Sequence, residues 1–208
     1  MNNFNKDIFK KLCVISAPSG TGKTSLIKKI CLQNSNISVC ISHTTRNPRV
    51  DEQHGIDYFF TNKNDFKLKI KNESYLEYAK VHGNYYGTLI DSVVELLEKN
   101  MTLILEIDYQ GAQIIKRKLP LSRNIFILPP SIKELENRLR GRGTDKEDVI
   151  LERLKNAKIE INHAKDYDYI VVNNNFETAE NQLLSYLLDI DMLVDSNIRK
   201  EPLIDSDF

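Results

Sequence analysis

The chain has 208 residues, 41% hydrophobic and 28% charged, which is enough apolar material for a full core and excludes wholesale disorder. Lys+Arg and Asp+Glu both total 29, so the formal net charge is zero, no overall field attracts nucleic acid, and any anion must be met by a local cluster. No apolar run approaches the length of a membrane span and residues 1–7 lack the apolar segment of a secretory signal, so a cytoplasmic protein is expected.

The first predicted elements are an apolar strand over residues 12–15 and a helix over 23–32, with Leu26, Ile27 and Ile30 at helical spacing. Between them lies Ala17-Pro18-Ser19-Gly20-Thr21-Gly22-Lys23-Thr24. Strand, glycine-rich turn, Lys-Thr and helix in that order make a phosphate-binding loop. Glycines let successive N–H groups point at phosphate oxygens, the helix N-terminus adds its dipole, Lys23 reaches the outer phosphates and the Thr24 hydroxyl can ligate Mg²⁺. The strict pattern fails at one place, where Ala17 replaces its first glycine.

A short buried strand over 37–41 leads into Ser42-His43-Thr44-Thr45-Arg46-Asn47-Pro48-Arg49, which has no apolar periodicity. Its two arginines, with hydroxyls before them and a proline between, suit a bidentate grip on phosphate; a solvated basic turn has the same composition. Residues 57–60 read as a short strand, 64–70 as a short helix with Phe66 and Ile70 inward, and 75–79 and 83–88 as aromatic strands of a small mixed subdomain. An amphipathic helix over 89–99 is followed by a strand over 101–107 buried on both faces, ending in Glu106-Ile107-Asp108. A carboxylate at the carboxyl end of such a strand is where a phosphate-loop enzyme holds Mg²⁺ or its ligand water.

A helix over 111–119 and a strand over 124–128 follow, closed by Pro129-Pro130. Residues 131–155 then read as two charged helices joined at 141–144, with Ser131 as N-cap and Glu134 completing a capping box. Such a stretch is ordinarily a solvated hairpin, yet Arg138 and Arg142, four residues apart on one helical face, are placed to close over phosphates. A last core strand over 169–173, a helix over 176–191 and a polar, loosely attached tail over 195–208 complete the chain. Cys13, Cys31 and Cys40 lack metal-ligand spacing and read as reduced thiols. Strands alternating with helices predict an α/β class, a doubly wound parallel sheet interrupted by two insertions.

Taken together, these stretches resemble the guanylate kinase family, which phosphorylates GMP with ATP and Mg²⁺, over roughly residues 11–188. Ser42 to Arg49 matches the family signature S-x-T-T-R-x-P-R. The resemblance implies a P-loop core (1–41, 89–130 and 156–208), an inserted mixed α+β GMP-binding subdomain (42–88) and a helical lid (131–155). It places GMP contacts on Ser42, Arg46, Arg49, Tyr58, Glu77, Tyr86, Thr88 and Asp108. It places ATP contacts on Ser19, Gly20, Thr21, Gly22, Lys23, Thr24, Ser25 and Asn173, and charge over the transferring group on Lys23, Arg138, Arg142 and Arg153. Mg²⁺ would ride with ATP on Thr24, with Glu106 reaching it through water; Glu106 stands where the family shows aspartate. Expected partners are ATP and GMP, with dGMP a second acceptor, no nucleic acid and no membrane; monomer and homo-oligomer both stay open.

Guanine chemistry agrees with Glu77, because one carboxylate accepts from both N1–H and the exocyclic amine but faces an unpaired lone pair on adenine. Two other classes compete with this reading: a non-catalytic interaction module of the same fold, and a kinase of another nucleoside monophosphate or a phosphorylated sugar. The intact Gly20, Gly22, Lys23 and Thr24 speak against the first, and the set Ser42, Glu77, Thr88 and Asp108 against the second.

Overall fold

The computed structural model of the chain describes residues 6–81, 83–141, 143 and 145–188. Arg142, residues 189–191 of the helix expected from the sequence, and the expected tail over 195–208 lie outside the described residues. A 3-10 turn over Lys6–Lys11 leads into β1 (Leu12–Ser16), all five residues of which are buried. α1 (Lys23–Gln33) buries Leu26, Ile27 and Ile30, the stripe its spacing predicts. β2 (Ile37–Val39), β3 (His43–Thr44) and β4 (Phe59–Phe60) are short. α2 (Lys63–Lys71) is N-capped by the Asn62 side chain, which accepts from the Asp65 N–H, and it buries Phe66. β5 (Tyr75–Val81), β6 (Asn84–Leu89), α3 (Ile90–Glu98), β7 (Thr102–Glu106) and α4 (Tyr109–Lys118) follow. β8 (Arg123–Leu128), α5 (Ile132–Gly141), α6 (Glu147–Asn162), a 3-10 turn over Ala164–Asp166, β9 (Tyr169–Val172) and α7 (Phe176–Leu188) complete the order.

The larger sheet has the strand order β2-β7-β1-β8-β9, the parallel sheet that the alternation of elements predicts. The described chain divides within β1 into two units, residues 6–14 with 36–122 and residues 15–35 with 123–188. In the first, β2 runs parallel to β7 with Ile37 opposite Thr102. The same unit holds a four-stranded mixed sheet, β4-β3-β6-β5, in which β3 is parallel to β4 and antiparallel to β6. Phe66 stacks on Tyr75 and Tyr85 at centroid distances of 4.4 and 5.4 Å, anchoring α2 to this sheet. In the second unit β8 runs parallel to β9, and Phe126 and Leu128 pack with Ile161 and Ala164. Leu135 and Leu139 of α5 join Ile150 and Ala157 of α6.

Two elements depart from the pattern read in the sequence. His43 and Thr44, inside the stretch without periodicity, form β3 because β4 and β6 both pair with it; strand pairing outranks local pattern here. α6 continues to Asn162 on the buried residues Ile150, Ala157 and Ile161, past the point where the charged character fades.

Candidate active site

In the second unit, β1 gives way to a turn whose Gly20 and Gly22 adopt φ of 97° and 96°, a region glycine enters without strain. Space demands glycine as well: a Cβ on Gly22 would lie 2.6 Å from Asn173 Nδ2, and one on Gly20 2.8 Å from Leu139 Cδ2. Gly22 is the N-cap of α1 and no side chain caps that helix, an end whose dipole favours an anion. Lys23 and Thr24 are the first two residues of α1; Lys23 is half-buried, and Thr24 and Ser25 are exposed.

The turn is braced from the strands and helices that follow. The Thr21 carbonyl accepts from Asn173 Nδ2 at 2.7 Å and from Arg138 Nη1 at 3.3 Å, and Arg138 Nη2 donates to the Asn173 carbonyl at 3.0 Å. Arg138 Nε donates to Glu134 at 3.0 Å, and the Glu134 N–H donates to Ser131 Oγ at 3.1 Å, so α5 is capped and its arginine oriented by one turn. Arg153 Nη1 donates to Ser19 Oγ at 3.0 Å and its Nη2 lies 3.3 Å from Asp145. Three side chains remote in sequence, Arg138, Arg153 and Asn173, thus converge on the loop.

The first unit assembles a different group. Glu77 on β5 faces Thr88 on β6 across the antiparallel pair, and Thr88 Oγ1 donates to Glu77 Oε1 at 2.6 Å. With that proton committed, Ser42 Oγ is the donor in its 3.1 Å bond to Thr88 Oγ1. Burial pushes the Glu77 carboxyl up to about 7; the Thr88 bond pulls it down, Asp108 adds to the rise and Lys118 opposes it. Asp108 caps α4, its carboxylate accepting from the Gly111 N–H at 3.0 Å and Gln110 Nε2 at 3.2 Å.

Arg46 sits over the Tyr58 ring, its Cζ 5.6 Å from the centroid, and Nε donates to Tyr86 Oη at 3.2 Å. Its Nη2 donates to both carboxylate oxygens of Glu52, at 2.8 and 2.9 Å, and Glu52 also accepts from the Arg49 N–H at 2.8 Å. Burial works against the Arg46 charge, yet the bonds to Glu52 and Tyr86 outweigh it and raise the pKa. Burial and the nearby Glu106 carboxylate push the Tyr58 phenol up to about 12, so it acts as a neutral hydroxyl. Glu106 closes β7, half-buried, and the Arg49 side chain is largely exposed.

The family model described as guanylate kinase matches residues 9–190. A guanylate kinase of Hydrogenovibrio crunogenus is 49% identical over 177 residues, covering 85% of this chain and 86% of that protein. The guanylate kinase of Escherichia coli K12 is 48% identical over 170 residues, covering 81% and 82%. The chain belongs to the guanylate kinase family. The crystal structure of guanylate kinase from Anaplasma phagocytophilum matches with a TM-score of 0.70 at 32% identity, covering 88% of this chain and 87% of that one. Membership in the guanylate kinase family makes the chain an enzyme of phosphoryl transfer to GMP, a reaction generally ATP-dependent.

Set against this family, the predicted site residues divide between the units: Ser19 to Ser25, Arg138, Arg153 and Asn173 in the second, and Ser42, Arg46, Arg49, Tyr58, Glu77, Tyr86, Thr88, Glu106 and Asp108 in the first. Arg142 lies outside the described residues. Glu52 escaped the sequence reading, although an acid three residues beyond Arg49 in an arginine loop was a usable signal. Cys13, Cys31 and Cys40 are thiols rather than disulfide partners, and burial, with Glu77 adding, pushes the Cys40 thiol up to about 12, which fits an unreactive thiol at that position. Among the described residues no helix is long and apolar enough to cross a membrane.

Proposed function

We propose that the chain transfers the γ-phosphoryl group of ATP to GMP, giving ADP and GDP, and that it accepts dGMP, since none of the assigned contacts falls on the ribose 2′ position. Its role would be guanine nucleotide supply and recycling in the cytoplasm. The single observation that carries the acceptor reading is Glu77, a carboxylate 3% exposed whose one oxygen is fixed by Thr88. A group so expensive to bury is kept for recognition, and the guanine edge with two adjacent donors is its complement.

In this reading Lys23 and the N–H groups of residues 20–25 hold the ATP phosphates, while Arg46, Arg49, Tyr58 and Tyr86 hold the acceptor phosphate. Ser42, Glu77, Thr88 and Asp108 form the set that reads the base. Arg138, Arg142 and Arg153 stabilise the charge of the group in flight, and Asn173 serves the ATP side. The acceptor is already an oxyanion near neutral pH, so no residue need act as base, and positioning with charge neutralisation supplies the rate. Mg²⁺, when bound with ATP, neutralises phosphate charge. The Thr24 hydroxyl and, through water, Glu106 are the oxygen donors this chain offers it, a set that suits an ion keeping several of its waters. Residues 42–88 are read as the GMP-binding subdomain and 131–155 as the lid, between core segments 1–41, 89–130 and 156–208, with closure excluding water that would hydrolyse ATP.

A coupled assay of ADP release with GMP, dGMP, AMP and UMP tests the reading. GMP and dGMP are expected to support turnover and AMP is not; equal rates with AMP and GMP defeat the guanine assignment, and no GMP-dependent release favours a binding module. Glu52→Gln checks the phosphate grip. Losing the charge that holds Arg46 is expected to raise KM for GMP by about tenfold, the scale of one charge-assisted hydrogen bond, with kcat little changed. A lower KM would instead make Glu52 a competitor of the phosphate.

A further inference from the structure

We propose that Gly111 is a specificity-determining positioning residue, whose missing side chain is the room in which the Glu77 carboxylate sits. The inference rests on the reading that Glu77 recognises guanine. Gly111 is the third residue of α4, buried, with its N–H donated to Asp108. Nothing in the backbone requires glycine there, since it is absent from the residues of positive φ. Helix propensity argues against it too, because glycine is the poorest ordinary helix former. What requires it is space: a Cβ at this position would lie 2.7 Å from Glu77 Oε2, 3.4 Å from Glu77 Cδ and 3.2 Å from Ile107 Cδ1, the first well inside van der Waals contact.

The group that yields decides the consequence. Ile107 is 8% exposed and α4 is held at its start by the Asp108 cap, so neither backbone nor core gives way easily. Glu77 is joined to its strand by rotatable bonds, and a methyl group pressing on Oε2 turns the carboxylate about the fixed Thr88 bond on Oε1. A Gly111→Ala chain therefore folds, with a helix former in its helix, and carries the base-reading carboxylate in the wrong place. Guanine needs both carboxylate oxygens in line with N1–H and the amine, so a swing of this kind degrades recognition of the base and leaves the phosphate contacts alone.

The experiment is steady-state kinetics of Gly111→Ala with GMP and AMP, beside Glu77→Gln, Glu77→Asp and the Glu77→Asp/Gly111→Ala double variant, with melting curves for each. Gly111→Ala is expected to melt at or above the temperature of the parent chain. KM for GMP is expected to rise by at least about tenfold, the scale of one charge-assisted hydrogen bond to the base, with kcat held and the GMP-to-AMP preference reduced. In the Glu77→Asp background, one methylene shorter, the same glycine change is expected to cost much less, because the contact is gone. Gly111→Ala with unchanged KM and preference, while Glu77→Gln changes both, overturns the inference and leaves the guanine reading standing. Glu77→Gln with unchanged preference overturns both. Equal costs of Gly111→Ala in the parent and Glu77→Asp backgrounds also overturn it, since the effect would then bypass the carboxylate.

Discussion

Lys23→Ala is expected to lower kcat by about 10³-fold or more while GMP still binds with an affinity calorimetry can measure, because a single preorganised positive group over a transferring phosphoryl is worth that much. The separation follows from where the parts lie in the chain. Lys23 opens α1, directly after two glycines whose positive φ fixes the turn, whereas Glu77, Thr88, Ser42 and Arg46 are held by their own sheet and by one another. The acceptor-side bonds join Ser42 to Thr88, Thr88 to Glu77, and Arg46 to Glu52 and Tyr86, and these bonds are expected to survive removal of the lysine. Arg138, Arg153 and Asn173 continue to brace the loop without Lys23, since their bonds go to Thr21, Ser19 and one another. The variant is thus expected to keep the parent's melting temperature to within a few degrees, the scale of about 1 kcal/mol. Parallel losses of kcat and of GMP affinity would mean that the lysine serves the acceptor side as well.

What the sequence shows of this arrangement depends on how local each feature is. The loop at Ala17 to Thr24 is legible because strand, glycines, lysine and helix are consecutive, and the φ values at Gly20 and Gly22 are those that such a turn needs. The alternation of apolar strands and helices is legible for the same reason. The braces are not: Asn173 stands 152 residues from the Thr21 carbonyl it bonds, and no periodicity relates them. Glu77 is unremarkable as an acid in an aromatic strand, and its meaning comes from the β5–β6 pairing, with its irregularity between Tyr75 and Glu77, which sets it opposite Thr88. Glu52 sits in irregular chain, where the 3.6 and 2 periods that expose a face do not apply, so its grip on Arg46 appears only in three dimensions.

Glu77→Gln is expected to trade stability for recognition, and pH separates the two. The Glu77 carboxyl titrates at about 7 in the folded chain against 4.5 ordinarily, chiefly because burial disfavours its charge. Between those values the folded chain binds more protons than the unfolded one, so stability falls as pH rises from 4.5 to 7 and levels off above, a total cost of about 3 kcal/mol. The glutamine has no charge to bury and its amide oxygen can keep the Thr88 bond. The variant is therefore expected to match the parent near pH 4 and to exceed it at pH 8 by up to about 3 kcal/mol in denaturant unfolding. Binding runs the other way. Guanine's two donors require the ionised carboxylate, so the affinity of the parent for GMP is expected to fall about tenfold per pH unit below pH 7 as Glu77 takes up its proton. The GMP phosphate titrates near pH 6 in both proteins, so their difference between pH 6 and 8 isolates Glu77. In Glu77→Gln that limb is absent, GMP binds weakly throughout, and the preference for GMP over AMP is expected to drop by about a hundredfold or more, the penalty for facing a guanine donor with an amide N–H. A stability profile with the same pH slope in both proteins would show that Glu77 is not charged at the cost its burial implies. An unchanged GMP-to-AMP preference would remove it from the base pocket, and a carboxylate buried among Ser42, Thr88 and Asp108 would then have to be retained for the pairing of β5 with β6 alone.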